Sequence, residues 1–322
     1  MKVLVTGATG FVGSHLVEAL RRRDAVVTAL VRSPSKAAAL SGQDVRLVTG
    51  DLHDRAALES ATRGQAVVFH VAGLVAARDE AEFLRANRDG TANLLEAAAL
   101  AGVGRFVFVS SMAAGGPSSP GRPLNGTEPP RPVTAYGRSK LAAEGLVRAS
   151  QVAWTILRAP MVYGPRDREV LKVFRLARLG LGPVFGDGTE ELSAVHGADL
   201  AAALVASATS ERAARRLYYA CHPETFTSAA FVRSVGDAVG RAVKVIRIPL
   251  RLGAAMLSVT GVFASLAGRP TILTRDKANE LFQPAWTGDP RPLMAETGWA
   301  PEFNLRGGLA DTYRWYRSAG WL

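Results

Sequence analysis

The sequence predicts an α/β fold in which a doubly wound parallel sheet, residues 1–160, is followed by a smaller C-terminal α+β region, residues 161–322. Three observations carry this expectation. Short β-branched runs alternate with alanine- and leucine-rich helical stretches through the first half, the mark of βαβ units. The runs lack strict apolar–polar alternation, as strands covered on both faces do. A glycine triplet follows the first run and opens an amphipathic stretch.

Taken in order, strands are expected at 2–6, 26–31, 45–48, 66–71, 105–110 and 154–158, and helices at 11–23, 54–62, 80–101 and 135–149. Asp54 and Thr134 stand where N-caps belong. Residues 115–133 are rich in Pro, Gly and Ser and read as a loop bordering the substrate. Beyond residue 160 the pattern weakens. Helices are expected at 199–210, 228–240, 272–282 and 305–317, and strands at 216–220 and 243–248, with later segments returning to the first domain.

The bulk numbers set limits. With 322 residues, 48% hydrophobic and 21% charged, the chain has material for a large core and is not a disordered composition. A single cysteine, Cys221, excludes an internal disulfide framework and a cysteine-based zinc site. No metal is expected, because His15, His53, His70 and His222 lack ligand spacing. The net charge of +11 suits phosphate-bearing ligands or an arginine-rich surface, and no nucleic-acid motif accompanies it. The chain enters a strand at once (MKVLVTGATG), so a cytoplasmic protein is expected.

Gly7, Gly10 and Gly13 let the backbone turn tightly and approach a pyrophosphate, and the following helix N-terminus offers free N–H groups. This is the pattern of a Rossmann-type dinucleotide site. The second strand ends in Arg32-Ser33, with Lys36 close behind, where an NAD site usually carries a carboxylate. NADP(H) is therefore favoured over NAD(H), with Arg32 clamping a 2′-phosphate; the alternative is that Arg32 stacks on adenine and discriminates little. Asp51 and Leu52 are placed for the adenine, and Ala72 and Gly73 for the ribose.

Tyr136 and Lys140 lie four apart at the start of a helix, on one face. A free phenol titrates near ~10, and a cation at ~4 Å in an effective dielectric of ~20 contributes about 4 kcal/mol, enough to lower it by a few units. On this reading Lys140 activates Tyr136 and holds the nicotinamide ribose, while Tyr136 exchanges a proton with the substrate oxygen. Ser111 closes the fifth strand and can bond the same oxygen; Ser110 faces the core or the cofactor. Asn87 either holds a backbone carbonyl or a water behind the site, or is a surface or helix-bend residue.

The ordered motifs TGATGFVG, GDL, HVAG, NRDGTANLLEA, VSSMAAGG, YGRSK and LRAPMVYGP resemble the extended short-chain dehydrogenase/reductase (epimerase/dehydratase) superfamily. The C-terminal portion resembles its 3β-hydroxysteroid dehydrogenase-like and dihydroflavonol reductase-like branches. The resemblance implies Ser-Tyr-Lys catalysis by Ser111, Tyr136 and Lys140. It adds Thr9, Phe11 and Val12 to the glycines, and Val71, Pro160 and Val162 to the cofactor contacts. A homodimer through residues 80–101 and 135–149 is implied as well.

Two departures narrow the reaction. Met112-Ala113 stand where the resembled dehydratases carry Asp-Glu, and Met161 where the resembled epimerases carry asparagine. An apolar substrate surface follows, although Arg166, Arg168 or Lys172 could meet a phosphate. Residues 252–267 carry no charge and have arginines on both sides; they read as a buried packing helix, a pocket wall or a peripheral membrane contact through 249–269. His196 either contacts substrate or caps the next helix. The leading expectation is a reductase or dehydrogenase of a ketone/alcohol pair on a sterol-like, acyl-chain or polyketide-like small molecule. The alternatives are a nucleotide-sugar 4-epimerase with bound NAD, and a non-enzymatic cofactor-binding sensor or assembly subunit.

Overall fold

A computed structural model describes residues 1–33, 35, 37, 40, 44–266 and 275–322, with only the backbone for 259–266 and 275. Lys36 and the start of the helix expected from residue 272 lie outside the described residues.

The first half runs β1 (Lys2–Thr6), α1 (Phe11–Arg21), β2 (Val26–Val31), β3 (Arg46–Thr49), α2 (Arg55–Thr62) and β4 (Val67–His70). It continues with α3 (Glu80–Phe83), a π-helical stretch at Leu84–Asp89, α4 (Gly90–Leu100), β5 (Arg105–Ser111), α5 (Met112–Gly115), α6 (Ala135–Ala149) and β6 (Trp154–Ala159). The second half is made of shorter pieces. These are β7 (Met161–Tyr163), α7 (Glu169–Arg178), β8 (Leu181–Phe185), β9 (Glu191–Leu192), β10 (Ala194–His196), α8 (Gly197–Thr209) and β11 (Arg216–Tyr219). Then come β12 (Phe226–Thr227), α9 (Ser228–Val239), β13 (Lys244–Ile248), α10 (Leu250–Leu266), α11 (Arg275–Leu281), β14 (Ala285–Trp286), α12 (Arg291–Thr297) and α13 (Leu305–Ser318).

Seven strands form one parallel sheet in the order β3-β2-β1-β4-β5-β6-β11. The order reverses between β1 and β4, which opens a crevice at the carboxyl edge of the sheet. Alternate residues of each strand feed opposite layers. Val3 and Val5 pack with Leu16 of α1, Leu204 of α8 and Leu293 of α12. Leu4, Val68 and Phe106 pack with Leu58 of α2, Leu94 of α4 and Val147 of α6. Each such side chain contributes about 1.5–3 kcal/mol of burial. A third core joins α7, α9 and α13 through Phe174, Val235 and Tyr316.

Both expected caps form: Asp54 accepts from the Ala57 N–H (3.0 Å) and Thr134 from the Gly137 N–H (3.1 Å). One expectation needs correction: the single helix over 80–101 is interrupted by the π-turn at 84–89, which carries Asn87. The chain beyond residue 160 returns to the large sheet, through α8, β11 and α12. The loop of residues 116–133 is tied down at two points: Leu124 pairs with Gly288, and Ser118 bonds Thr287 (2.8 Å).

Candidate active site

The glycine turn is built as the sequence requires. Gly7 adopts φ +73°, and a Cβ there would lie 2.7 Å from the Ala72 nitrogen. A Cβ on Gly13 would lie 2.0 Å from the Gly7 carbonyl oxygen, so only glycine lets α1 start this close to β1. Among the described residues no side chain caps α1 at Gly10, and its first turn holds no acid. A cradle of free N–H groups without competing carboxylates fits a dinucleotide pyrophosphate. Thr9 is exposed in this turn, and Phe11 and Val12 are half-buried just behind it.

The other cofactor candidates line the same edge. Arg32 is exposed just after β2 and makes no ion pair among the described residues; Ser33 bonds Ser35 (2.8 Å). Asp51 is exposed beyond β3 and accepts from the His53 N–H, while Leu52 packs over Gly90. Val71, Ala72 and Gly73 follow β4, and the half-buried Pro160 and Val162 follow β6.

Behind this edge runs a chain of hydrogen bonds that sequence reasoning missed. The Thr91 hydroxyl donates to the Asn87 carbonyl (2.5 Å), so it accepts from His70 Nε2–H (2.9 Å). His70 Nδ1 then accepts from the Thr6 hydroxyl (2.8 Å), which in turn accepts from the Ala72 N–H (3.3 Å). Burial, aided by Lys140, lowers His70 to about 3 and keeps it neutral, as this wiring requires. His70 carried no signal in the sequence beyond its place at a strand end.

Asn87 serves both weighed roles. It sits in the helix bend, and its side chain clamps the chain after β4: Oδ1 accepts from the Leu74 N–H (2.7 Å), and Nδ2 donates to the Leu74 carbonyl (3.0 Å) and to Ser139 Oγ (2.9 Å). Ser139 donates to the Tyr136 carbonyl (2.8 Å), so the clamp reaches the first turn of α6.

Ser111, Tyr136 and Lys140 converge at the ends of β5 and α6. Burial pushes the Tyr136 phenol up to about 12; the nearby Ser111 hydroxyl opposes this, and Glu280 adds to it. The expected lowering by Lys140 is not found. The Lys140 ammonium donates to the Val109 carbonyl (2.7 Å) and lies 4.2 Å from the centre of the Phe108 ring, and burial brings it down to about 7. The i,i+4 spacing puts both groups on one face, but the deep position of Lys140 turns it under β5. A Cβ on Gly73 would come within 3.7 Å of Lys140 Nζ, so the cation faces the segment expected at the ribose.

Tyr136 opens onto a cavity of about 330 Å³. Val75, Ala77 and Phe83 are its apolar lining, Thr134 also lines it, and charged side chains of Arg78, Asp79, Glu80, Arg138 and, from α11, Asp276, Lys277 and Glu280 make up most of the rest. α11 is tied there because Asp276 Oδ2 accepts from the Ala135 N–H (2.8 Å). These lining residues were not identified from the sequence.

The substrate candidates read from the sequence do not line this cavity. Met112 is buried with Tyr219 and Cys221, and Met161 packs on the C-terminal core. Arg166, at φ +75°, is held by Glu18 and by His15 (3.1 Å). His196 is 2% exposed, lies 4.1 Å from Phe303 ring to ring, and caps α8 at the Ala198 N–H (3.4 Å). Ser110 faces the core and donates to Glu144 (2.6 Å).

Comparison with known proteins agrees with this architecture. Residues 3–220 match the NAD dependent epimerase/dehydratase family. The chain is 36% identical to a ceramide reductase of Caulobacter vibrioides over 325 residues, covering 99% of this chain and 96% of that protein. It is 30% identical over 329 residues to a 2-alkyl-3-oxoalkanoate reductase of Stenotrophomonas maltophilia, covering 96% and 97%. Among solved structures, the UDP-glucose 4-epimerase of Thermus thermophilus in complex with NAD superposes with a TM-score of 0.80 at 27% identity, covering 99% of this chain and 100% of that one. The chain is an extended short-chain dehydrogenase/reductase and belongs to the NAD dependent epimerase/dehydratase family.

Proposed function

We propose that this protein is an NADP(H)-dependent reductase that converts a ketone on a long-chain lipid of the ceramide class into a secondary alcohol. The observation that carries the reading is the Tyr136 phenol, buried close to Ser111 and lining a cavity whose wall joins Val75, Ala77 and Phe83 to a charged rim. A phenol held near 12 is protonated at neutral pH, so it is a donor, and a ketone oxygen gaining charge needs a donor. Ser111 supplies the second hydrogen bond to that oxygen. Lys140, between the Val109 carbonyl and the Gly73 segment, orients the nicotinamide ribose. The bound cofactor supplies the hydride.

Two relatives named as reductases, one of ceramide and one of a 2-alkyl-3-oxoalkanoate, support an apolar ketone. Arg32, exposed just after β2 and without an ion pair among the described residues, supports NADP(H) through the 2′-phosphate. The epimerase reading is favoured by the Thermus thermophilus structure and predicts interconversion of UDP-hexoses without net cofactor turnover. A sensor or assembly subunit would not need Tyr136 and Lys140, and both are present.

The test is NADPH consumption with keto-lipids of graded chain length. Activity should rise with chain length, and Tyr136→Phe should lower kcat by about 10²–10⁴-fold with NADPH binding retained. Indifference to chain length, or full activity in Tyr136→Phe, refutes the reading.

A further inference from the structure

Between Asp237 and Asp276 the chain carries six Lys or Arg residues and no Asp or Glu. This stretch contains β13, which runs through Pro249 directly into α10. In α10, Gly253 and Leu257 turn inward: Leu257 is 3% exposed, and a Cβ on Gly253 would meet Phe185 of β8 at 2.7 Å and Phe282 beyond α11 at 3.4 Å. The opposite face presents Arg251, Leu252, Ala255 and Met256 outward, with Leu252 54% and Met256 49% exposed. On the β8–β13 ribbon, Leu181 pairs with Lys244 and Pro183 with Ile246, and Leu181, Lys244 and Ile246 are all exposed.

Outward leucine, isoleucine and methionine side chains set beside Lys244 and Arg251, which make no ion pair among the described residues, are what a negatively charged bilayer surface complements; Arg247 instead lies against Asp187. A basic rim would repel a second copy of the same patch. Among the described residues no helix is long and apolar enough to cross a membrane, so this face would lie on the bilayer. We infer that β13 and α10 form a docking surface for an anionic phospholipid bilayer.

The position has a consequence for the cavity. α10 packs on Phe282, immediately beyond α11, and α11 contributes Lys277 and Glu280 to the wall beside Tyr136. Docking through the outward face of α10 therefore leaves its inward face on Phe282 and the α11 end that lines the cavity, so the bound bilayer and the cavity wall share one helix pair. The docking itself does not rest on the proposed reaction, because vesicle binding is read without substrate.

The experiment is cosedimentation of the full chain with phosphatidylcholine vesicles, with and without phosphatidylglycerol. The protein should partition into the anionic vesicles and dissociate as salt is raised. Lys244→Glu with Arg251→Glu should weaken partitioning more than tenfold, at about fivefold for each basic charge lost. Leu252→Glu with Met256→Glu should abolish it, with dinucleotide binding retained as the sign of an intact fold. If the second pair disturbs dinucleotide binding, the charge-reversal pair, confined to exposed side chains, decides.

Failure of the wild-type chain to bind anionic vesicles overturns the inference, as does equal binding to both vesicle types. It is also overturned if both variants bind like wild type. Sedimentation velocity covers the remaining occupant: a dimer that avoids vesicles and is split by Leu252→Glu with Met256→Glu would make this face a contact between copies.

Discussion

Replacing Glu144 by glutamine tests how β5 and α6 are held together. Glu144 lies one turn beyond Lys140 in α6 and is fully buried. Its carboxylate accepts from Ser110 of β5 (2.6 Å), from Arg158 of β6 through Nε (2.9 Å) and Nη2 (2.8 Å), and from Arg148 (3.2 Å). Arg158 also donates to the Tyr219 hydroxyl of β11 (3.0 Å) and is 2% exposed. Burial alone would disfavour this guanidinium, yet its bonds to Glu144 outweigh burial and hold it charged. Glu144→Gln keeps the volume and strands the cation, which costs about 3–5 kcal/mol. For 322 residues at about 2.1 cal/mol/K each, the unfolding entropy is near ~0.7 kcal/mol/K, so the melting temperature should fall by about 4–7 °C. Differential scanning calorimetry reads this directly. Because Ser110 adjoins Ser111, NADPH turnover should fall in the same variant at temperatures where it is folded. The sign of the double replacement is decisive: Glu144→Met with Arg158→Met removes both charges and should cost less than Glu144→Gln alone. A Tm within about 1 °C of wild type for Glu144→Gln, or a double variant worse than the single one, refutes the argument.

Three further outcomes follow from the same geometry. Gly13→Ala places a Cβ 2.0 Å from the Gly7 oxygen, so α1 must shift; NADPH binding by fluorescence titration should weaken more than about tenfold, and unchanged affinity would show that the turn is not the pyrophosphate site. Arg32→Ser should weaken NADPH by about 10–100-fold and NADH little, since charge-assisted bonds to a phosphate contribute about 1.5–3 kcal/mol; equal losses for both would assign Arg32 to the adenine. Burial lowers His15, His70 and His196 to about 4, 3 and 4, so the unfolded chain takes up protons below its ordinary value of 6.5 that the folded chain refuses. Stability should therefore fall as pH drops from about 6.5 toward 4, at about 1.4 kcal/mol per unit for each group, and a urea midpoint unchanged between about pH 7 and 5 would contradict the burial of these rings.

What could be read from the sequence was what local rules decide. The glycine turn, the strands of the large sheet and the caps at Asp54 and Thr134 depend on neighbours within a few residues, and they stand where expected. What could not be read depends on distant partners. Arg166 looked available for a phosphate, but its partner Glu18 is 148 positions away. Asn87 is fixed by Ser139, 52 positions on, and the cavity beside Tyr136 is completed by α11, tied to α6 across 141 positions. Strands such as β9 and β12, two residues each, carry too few side chains for a periodic pattern. His196 shows the reverse case: a polar residue ahead of a helix is a cap by local rule, and that reading describes it.

The arrangement of Tyr136 and Lys140 bears on the proton step of the proposed reaction. Spacing alone suggested a phenolate beside an ammonium, yet burial moves the two groups apart, the phenol up to about 12 and the lysine down to about 7. Giving a proton to a ketone oxygen needs the neutral phenol, and desolvation is the effect that keeps it neutral. In the reverse sense the same oxygen takes the proton back, so one group serves both directions of the proposed reaction and the oxidation state of the bound cofactor sets which of them runs.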